Sequence, residues 1–192
     1  MTIMNASPLK HRLIAFVLLA CSLPALAQQL VPAQSEIVFV SKQMGVPVEG
    51  RFQKFNAKIV FTPSKPDQAN IAFTVDMTSA TLGVKETDAE LPKAEWFNTA
   101  KFAQASFQST SVKALGAGKF EVAGKLSIKG ATQTVLVPVT LTQAGANTTA
   151  VGAFALKRLA FKIGDNEWSD TSMVADDVQV KFKFALTGVA KL

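Results

Sequence analysis

Between Lys119 and Leu141 the chain runs through one alternation twice. Phe120, Val122, Leu126 and Ile128 share one parity, while Lys119, Glu121, Lys125, Ser127 and Lys129 share the other. Successive side chains of a strand project to opposite faces, so this predicts a strand with one buried and one wet face. Lys129-Gly130-Ala131 turns the chain, and Val135, Val137, Val139 and Leu141 then alternate with Thr134, Thr140 and Thr142. Together the two runs predict an antiparallel hairpin. At about 3.3 Å per residue, strands of roughly eleven residues extend about 36 Å, longer than most.

The rest of the chain repeats the pattern. Gln34 to Gln43 predicts a first strand, with Ile37, Phe39, Ser41 and Gln43 on one side and Val38, Val40 and Lys42 on the other, closed by the turn Met44-Gly45-Val46-Pro47. Val48 to Phe61 predicts a second. Its parity switches between Phe52 and Phe55, which requires a bulge or bend near Gln53-Lys54. After the loop Thr62 to Asp67, the residues Ile71, Phe73, Val75 and Met77 mark a third strand. The period changes between Gly83 and Ala100: Thr87 with Glu90 reads as a capping box opening a short helical turn, and Pro92 starts a further helical piece carrying Lys93 to Phe97. Strands follow from Ala103 to Val112 and from Thr148 to Arg158, with Gly116-Ala117-Gly118 as a hairpin turn. A turn over Lys162 to Trp168 leads to a last strand, where Val178, Val180, Phe182, Phe184 and Leu186 oppose Asp177, Gln179, Lys181, Lys183 and Thr187. About eight hairpin-connected strands predict an all-β, eight-stranded antiparallel barrel with one short helical segment after the third strand. Closure removes the edges along which sheets aggregate.

Residues 1–27 stand apart from this pattern. Lys10, His11 and Arg12, the apolar run Leu13 to Ala20, and Ala25-Leu26-Ala27 before Gln28 match a cleavable secretory signal. This predicts export to the periplasm, with residues 28–192 as a single domain. Leu18-Leu19-Ala20-Cys21 offers the alternative of a lipoprotein anchored at Cys21. Cleavage removes the only Cys, the only His, Lys10 and Arg12, so 18 basic residues face 14 acidic ones. Disulfides, Cys or His metal sites, Cys nucleophiles, His bases and covalently attached haem are then excluded by inventory. Lysines that alternate with apolar residues, as in Lys119/Lys125/Lys129 and Lys181/Lys183, read as a solvated outer face rather than a nucleic-acid stripe.

An eight-stranded barrel has an interior either packed with side chains or wide enough for one small ligand. Thirteen of the 14 Phe residues lie beyond residue 27 and the chain has no Tyr, so the inner face offers few hydroxyl donors and suits hydrocarbon. Trp96, Phe97, Phe102 and Phe107 are either core plugs or ligand contacts. Arg158 and Asp176 share parity with apolar neighbours, which makes them either a paired or solvated rim or a polar mouth for a head group. No Gly-X-Ser-X-Gly elbow, phosphate loop or dinucleotide fingerprint occurs, and a non-enzymatic protein is expected.

The segments Gly83 to Val112, Gly118 to Leu141 and Leu156 to Val180 resemble the YceI-like family in order and spacing. That resemblance extends from Leu30 onward. It implies a lipocalin-like barrel, exported in bacteria, binding polyisoprenoid or other long amphiphilic lipids, with roles in isoprenoid-quinone or lipid handling or stress response. Near the first strand, where many relatives carry His, this chain has Gln34 and Gln43, so a neutral amide replaces any imidazole contact.

The resulting expectation is a carrier or sequestering protein with a non-covalent polyisoprenoid or isoprenoid-quinone ligand and no covalent cofactor, metal or nucleic-acid partner. Its expected ligand contacts are Phe39, Phe52, Phe73, Phe107, Phe154, Phe182 and Phe184 along the axis, Trp96, Phe97 and Trp168 near the openings, and Gln43, Arg158 and Asp176 as polar groups. Gly124 is expected in the tunnel wall, beside Phe120, Val122, Leu126, Ile128, Val135, Val137 and Val139. The alternative is a packed barrel acting as a structural or interaction module for a membrane redox or stress-response partner. Monomer and homodimer both remain open.

Overall fold

The computed structural model describes residues 28–192; the expected signal segment and the alternative of an anchor at Cys21 lie outside the described residues. Eleven strands form one sheet: β1 (Gln29–Leu30), β2 (Glu36–Gln43), β3 (Val46–Phe52), β4 (Phe55–Val60), β5 (Asn70–Asp76), β6 (Ala80–Thr81), β7 (Gln104–Gly116), β8 (Lys119–Ile128), β9 (Ala131–Ala144), β10 (Asn147–Lys157) and β11 (Asp177–Thr187). The hydrogen-bonded order is β4-β5-β7-β8-β9-β10-β11-β2-β3-β6, with β1 added on β11. The count exceeds the expected eight because β3 and β4 are the two arms of one bent strand and β1 and β6 are two-residue pieces. The break falls at Gln53 and Lys54, where the parity switch requires it.

That bend helps roll up the sheet, since β3 pairs with β2 while β4 pairs with β5. Gln28 fastens the remaining gap. Its side-chain amide accepts from the Phe61 N–H at 2.8 Å and donates to the Phe61 carbonyl, imitating one rung of a strand ladder beyond β1. Hairpin turns set the registers. Met44-Gly45 and Lys129-Gly130 each have two consecutive positive φ values, the conformation of the tight hairpins whose twist matches the flanking strands. Val46 and Pro47 already belong to β3, so the first turn is shorter than its sequence suggests.

One ladder is incomplete. Strands β9 and β10 pair from Asn147↔Ala144 only as far as Gly152↔Val139. The next rung would set Pro138 against Ala153, and proline has no N–H to give. Above this point the two strands part, and the 3-10 turn Arg158–Phe161 stands beside β9, with Gln133 donating to the Ala160 carbonyl at 3.4 Å. The sheet curls into the expected antiparallel barrel, with its wall left without ladder hydrogen bonds along this part of the β9–β10 seam.

Helix is scarcer than the capping signals suggest. Among the described residues α1 (Lys85–Asp88) is the only α-helix; its N-cap is Val84, without a side-chain cap. Thr87 lies inside the helix, its hydroxyl donating to the Val84 carbonyl at 2.9 Å, and residues 91–97 form successive turns rather than a second helix. Apolar residues line the interior in two clusters: a lower one around Phe61, Phe120, Leu141 and Val189, and an upper one around Met77, Leu91, Phe97 and Phe161.

Candidate functional site: an apolar cavity with one polar end

The interior is not filled. A cavity of about 410 Å³ runs between the two clusters. Of the residues expected to line it, Phe39, Gln43, Phe52, Phe73, Trp96, Phe97, Phe107, Phe154, Arg158, Trp168, Phe182 and Phe184 do so. Several of the rings stack rather than stand alone. Phe184 lies 4.6 Å from Phe73 and 4.7 Å from Phe182, both nearly parallel, and Phe39 meets Phe97 edge-on at 6.5 Å. The hairpin row contributes Phe120, Val122, Leu126, Ile128, Val137 and Val139.

Gly124 is not part of the lining. The Phe107 ring covers it, because an inward glycine beside a phenylalanine leaves a recess that the ring occupies. Asp176 also stays outside: its carboxylate accepts from the Leu159 N–H at 3.0 Å and helps hold the turn that follows β10.

Arg158 reaches the cavity end in an unexpected way. It is 2% exposed, and its guanidinium donates to five carbonyl oxygens: Ala175 at 3.1 Å, Ile163 at 2.9 Å, Gly164 at 2.6 Å, Trp168 at 2.6 Å and Val174 at 2.7 Å. Five N–H groups is the full donor capacity of the side chain. Burial holds its pKa below the ordinary arginine value, partly countered by the nearby Asp176 charge. Arg158 is therefore neither a solvated rim residue nor a free head-group donor. It organises residues 158–175 into a cap.

A second cation does similar work. Lys129 is buried, not on the wet face as its parity suggests, and its ammonium donates to the Glu95 carbonyl at 3.1 Å and to the Lys162 carbonyl, with Asp165 at 3.5 Å. The left-handed backbone of the β8–β9 turn redirects this side chain between the two capping segments. The Gly164 N–H to Glu95 carbonyl bond at 2.7 Å and the contact between Trp96 and Trp168, ring centres 5.5 Å apart, tie the same segments together.

The cavity is chemically asymmetric. Its polar lining residues are Ser41, Gln43, Thr87, Glu90 and Arg158, all at the capped end, whereas Phe61, Phe120, Leu141, Ala150, Leu186 and Val189 line the other end. Gln43 is anchored beside the cap by a bridge to Val174. Ser41, Leu82, Thr87, Glu90 and Leu91 had not been expected in the site. Ser41 was readable from its shared parity with Gln43, but the others lie where the alternation lapses.

The sequence profile of the YceI-like domain matches residues 28–186. The chain belongs to the YceI-like family. A UPF0312 protein of Shewanella baltica is 33% identical over 106 residues, which cover 55% of this chain and 56% of the relative; the chain thus spans about half the length of the first curated relatives it matches. A UPF0312 protein of Shewanella oneidensis is 30% identical over 140 residues, 68% of this chain and 73% of that one. Among solved structures, BcnA of Burkholderia cenocepacia superposes with a TM-score of 0.79 at 44% identity, over 81% of this chain and 98% of BcnA. A polyisoprenoid binding domain from Saccharophagus degradans gives 0.69 at 16% identity, over 84% of this chain and 98% of that one, a likeness of fold. The expected YceI-like, nearly all-β fold is thereby established for this chain.

Proposed function

We propose that this YceI-like protein is an exported binding protein that holds a long-chain amphiphilic lipid, a polyisoprenoid or isoprenoid quinone, inside its barrel for transport, storage or sequestration. The observation that carries this reading is the cavity of about 410 Å³ lined almost throughout by aliphatic and phenylalanine side chains, with polar groups at one end only. The shared fold with a polyisoprenoid binding domain supports it. The binding energy is adequate. Each buried CH₂ contributes about 0.8 kcal/mol, so a five-carbon isoprene unit adds a few kcal/mol and several units give tight binding. The role is binding without catalysis, in the periplasm, with exchange of cargo at a membrane, including a membrane redox protein as donor or acceptor. A packed interaction module would need an interior closed by its own phenylalanines, and the cavity argues against that alternative.

The test is native mass spectrometry of protein purified from its own cells, with organic extraction of whatever it carries. A co-purifying prenyl lipid or quinone is expected. A consistently empty barrel that also takes up no added quinone or prenyl lipid would overturn the reading.

A further inference from the structure

The capped end contains the information that decides which head group enters. Two ionisable residues line the cavity, Glu90 and Arg158. Arg158 carries the positive charge, but its five donors are spent on backbone carbonyls. Turning one of them toward a ligand would strand a buried carbonyl, which costs about 1–3 kcal/mol. Lys129 is likewise committed to the Glu95 and Lys162 carbonyls and to Asp165. Lys93 is paired with Glu90 itself at 2.7 Å. Lys42 falls on the opposite parity to Ser41 and Gln43 and is exposed.

The groups left for a ligand are neutral. The Ser41 hydroxyl and the Gln43 amide both donate and accept, both line the cavity, and both are half-buried. Trp96 and Trp168 add indole N–H groups at the same end. An anionic head at this end would give up part of its hydration to meet the Glu90 carboxylate, with Lys93 already paired to that carboxylate and Arg158 and Lys129 committed to carbonyls, so its desolvation is not offset by a dedicated ion pair.

We infer that the site selects lipids with a neutral, hydrogen-bonding head, an alcohol, a quinone or a quinol, and rejects prenyl phosphates, prenyl diphosphates and fatty-acid carboxylates. The head sits against Ser41 and Gln43, and the tail runs down toward Phe120 and Val189. This inference rests on the lipid-binding reading above and narrows it.

A series with one tail and different heads separates the two claims. Farnesol, farnesyl phosphate and farnesyl diphosphate are titrated into the delipidated protein, following the emission of Trp96 and Trp168. Farnesol is expected to bind at least about tenfold tighter than the diphosphate, a difference of about 1.4 kcal/mol. Equal or tighter binding of the diphosphate overturns the selectivity and leaves the lipid-binding reading standing. No binding of the three, nor of a longer neutral prenyl quinone, overturns both. Two variants sharpen the outcome. Gln43→Lys supplies the missing cation and is expected to narrow or reverse the gap. Glu90→Gln, at a half-exposed side chain of the same lining, is expected to move the farnesol-to-diphosphate preference a few-fold toward the diphosphate; no movement of that ratio in either variant counts against the placement of the head group.

Discussion

The ring of Phe107 lies across Gly124, so that a Cβ added at Gly124 would collide with it and would stand 2.7 Å from the Gln108 carbonyl oxygen. Phe39 covers Gly50 and Phe182 covers Gly152 in the same manner, with ring carbons 2.7 Å and 2.8 Å from the added Cβ. Phe39↔Gly50 and Phe182↔Gly152 are direct cross-strand partners, whereas Phe107 reaches diagonally, because Gly124 faces Ser109. Each glycine lets an aromatic ring settle onto the sheet instead of projecting across the barrel. The rings therefore lie along the wall, and the axis stays open.

Gly124→Ala follows directly from this. The Cβ must displace the Phe107 ring from the wall and press on the Gln108 carbonyl oxygen, a backbone atom of the paired strand that a ring movement does not relieve, at a cost of about 1–3 kcal/mol for an overpacked site. Urea unfolding should show that loss of stability, and an unchanged midpoint would mean that Phe107 and the paired strand both have room to move.

Blocking the cavity calls for a position that faces it. Val137 is buried, lines the cavity and lies on the inner row of β9. Val137→Phe should lower the fraction of protein carrying lipid in native mass spectra, with little change in Tm because it fills empty space. Full occupancy in that variant would place the tail away from β9.

Replacing Arg158 tests the cap. Arg158→Met leaves five carbonyls without their donor, and at about 1–3 kcal/mol for each buried group left unsatisfied the cap should open even if the barrel survives. Hydrogen exchange should accelerate across residues 159–175 before it does in β8 and β9. Arg158→Lys should not restore protection, since an ammonium has three donors where the guanidinium has five.

The segment after Trp168 is sensitive to acid. The Asp170 carboxylate accepts from the Ser172 hydroxyl at 2.7 Å and from the Ser172 N–H at 2.8 Å, and these bonds, the hydroxyl first, hold its pKa below 3.8. A carboxyl depressed in the folded state contributes stability that is present above its unfolded pKa and is lost as pH falls through the folded value. In an NMR titration the Ser172 amide should shift with a midpoint below 3.8, and Asp170→Ala should abolish that step. A midpoint at or above 3.8 would show that the turn is open in solution.

Much of this architecture is legible in the chain itself. Alternation places the strands, and it fixes which face is apolar, because a one-residue slip would turn every inner side chain outward. The parity switch between Phe52 and Phe55 marks the bend, and the inner row from Phe120 to Val139 marks most of the hairpin's share of the cavity. Glycine, with no side chain, gives no such signal. Gly124 has inward parity, yet whether it faces empty space or a ring depends on Phe107, which is 17 positions away in the chain and is brought beside it only by strand pairing.

The sequence by itself determined the strands, their wet and apolar faces, the bend, the turns, and an interior of phenylalanine without tyrosine, all consequences of the period-two geometry of a strand. Only the tertiary structure decided the cap. Arg158 and Lys129 sit at the ends of strands, where parity no longer states direction, and what they bind are carbonyl oxygens, which every residue has and no sequence pattern marks. Those two cations are committed to the backbone, and this leaves the neutral Ser41 and Gln43 to meet whatever enters the barrel.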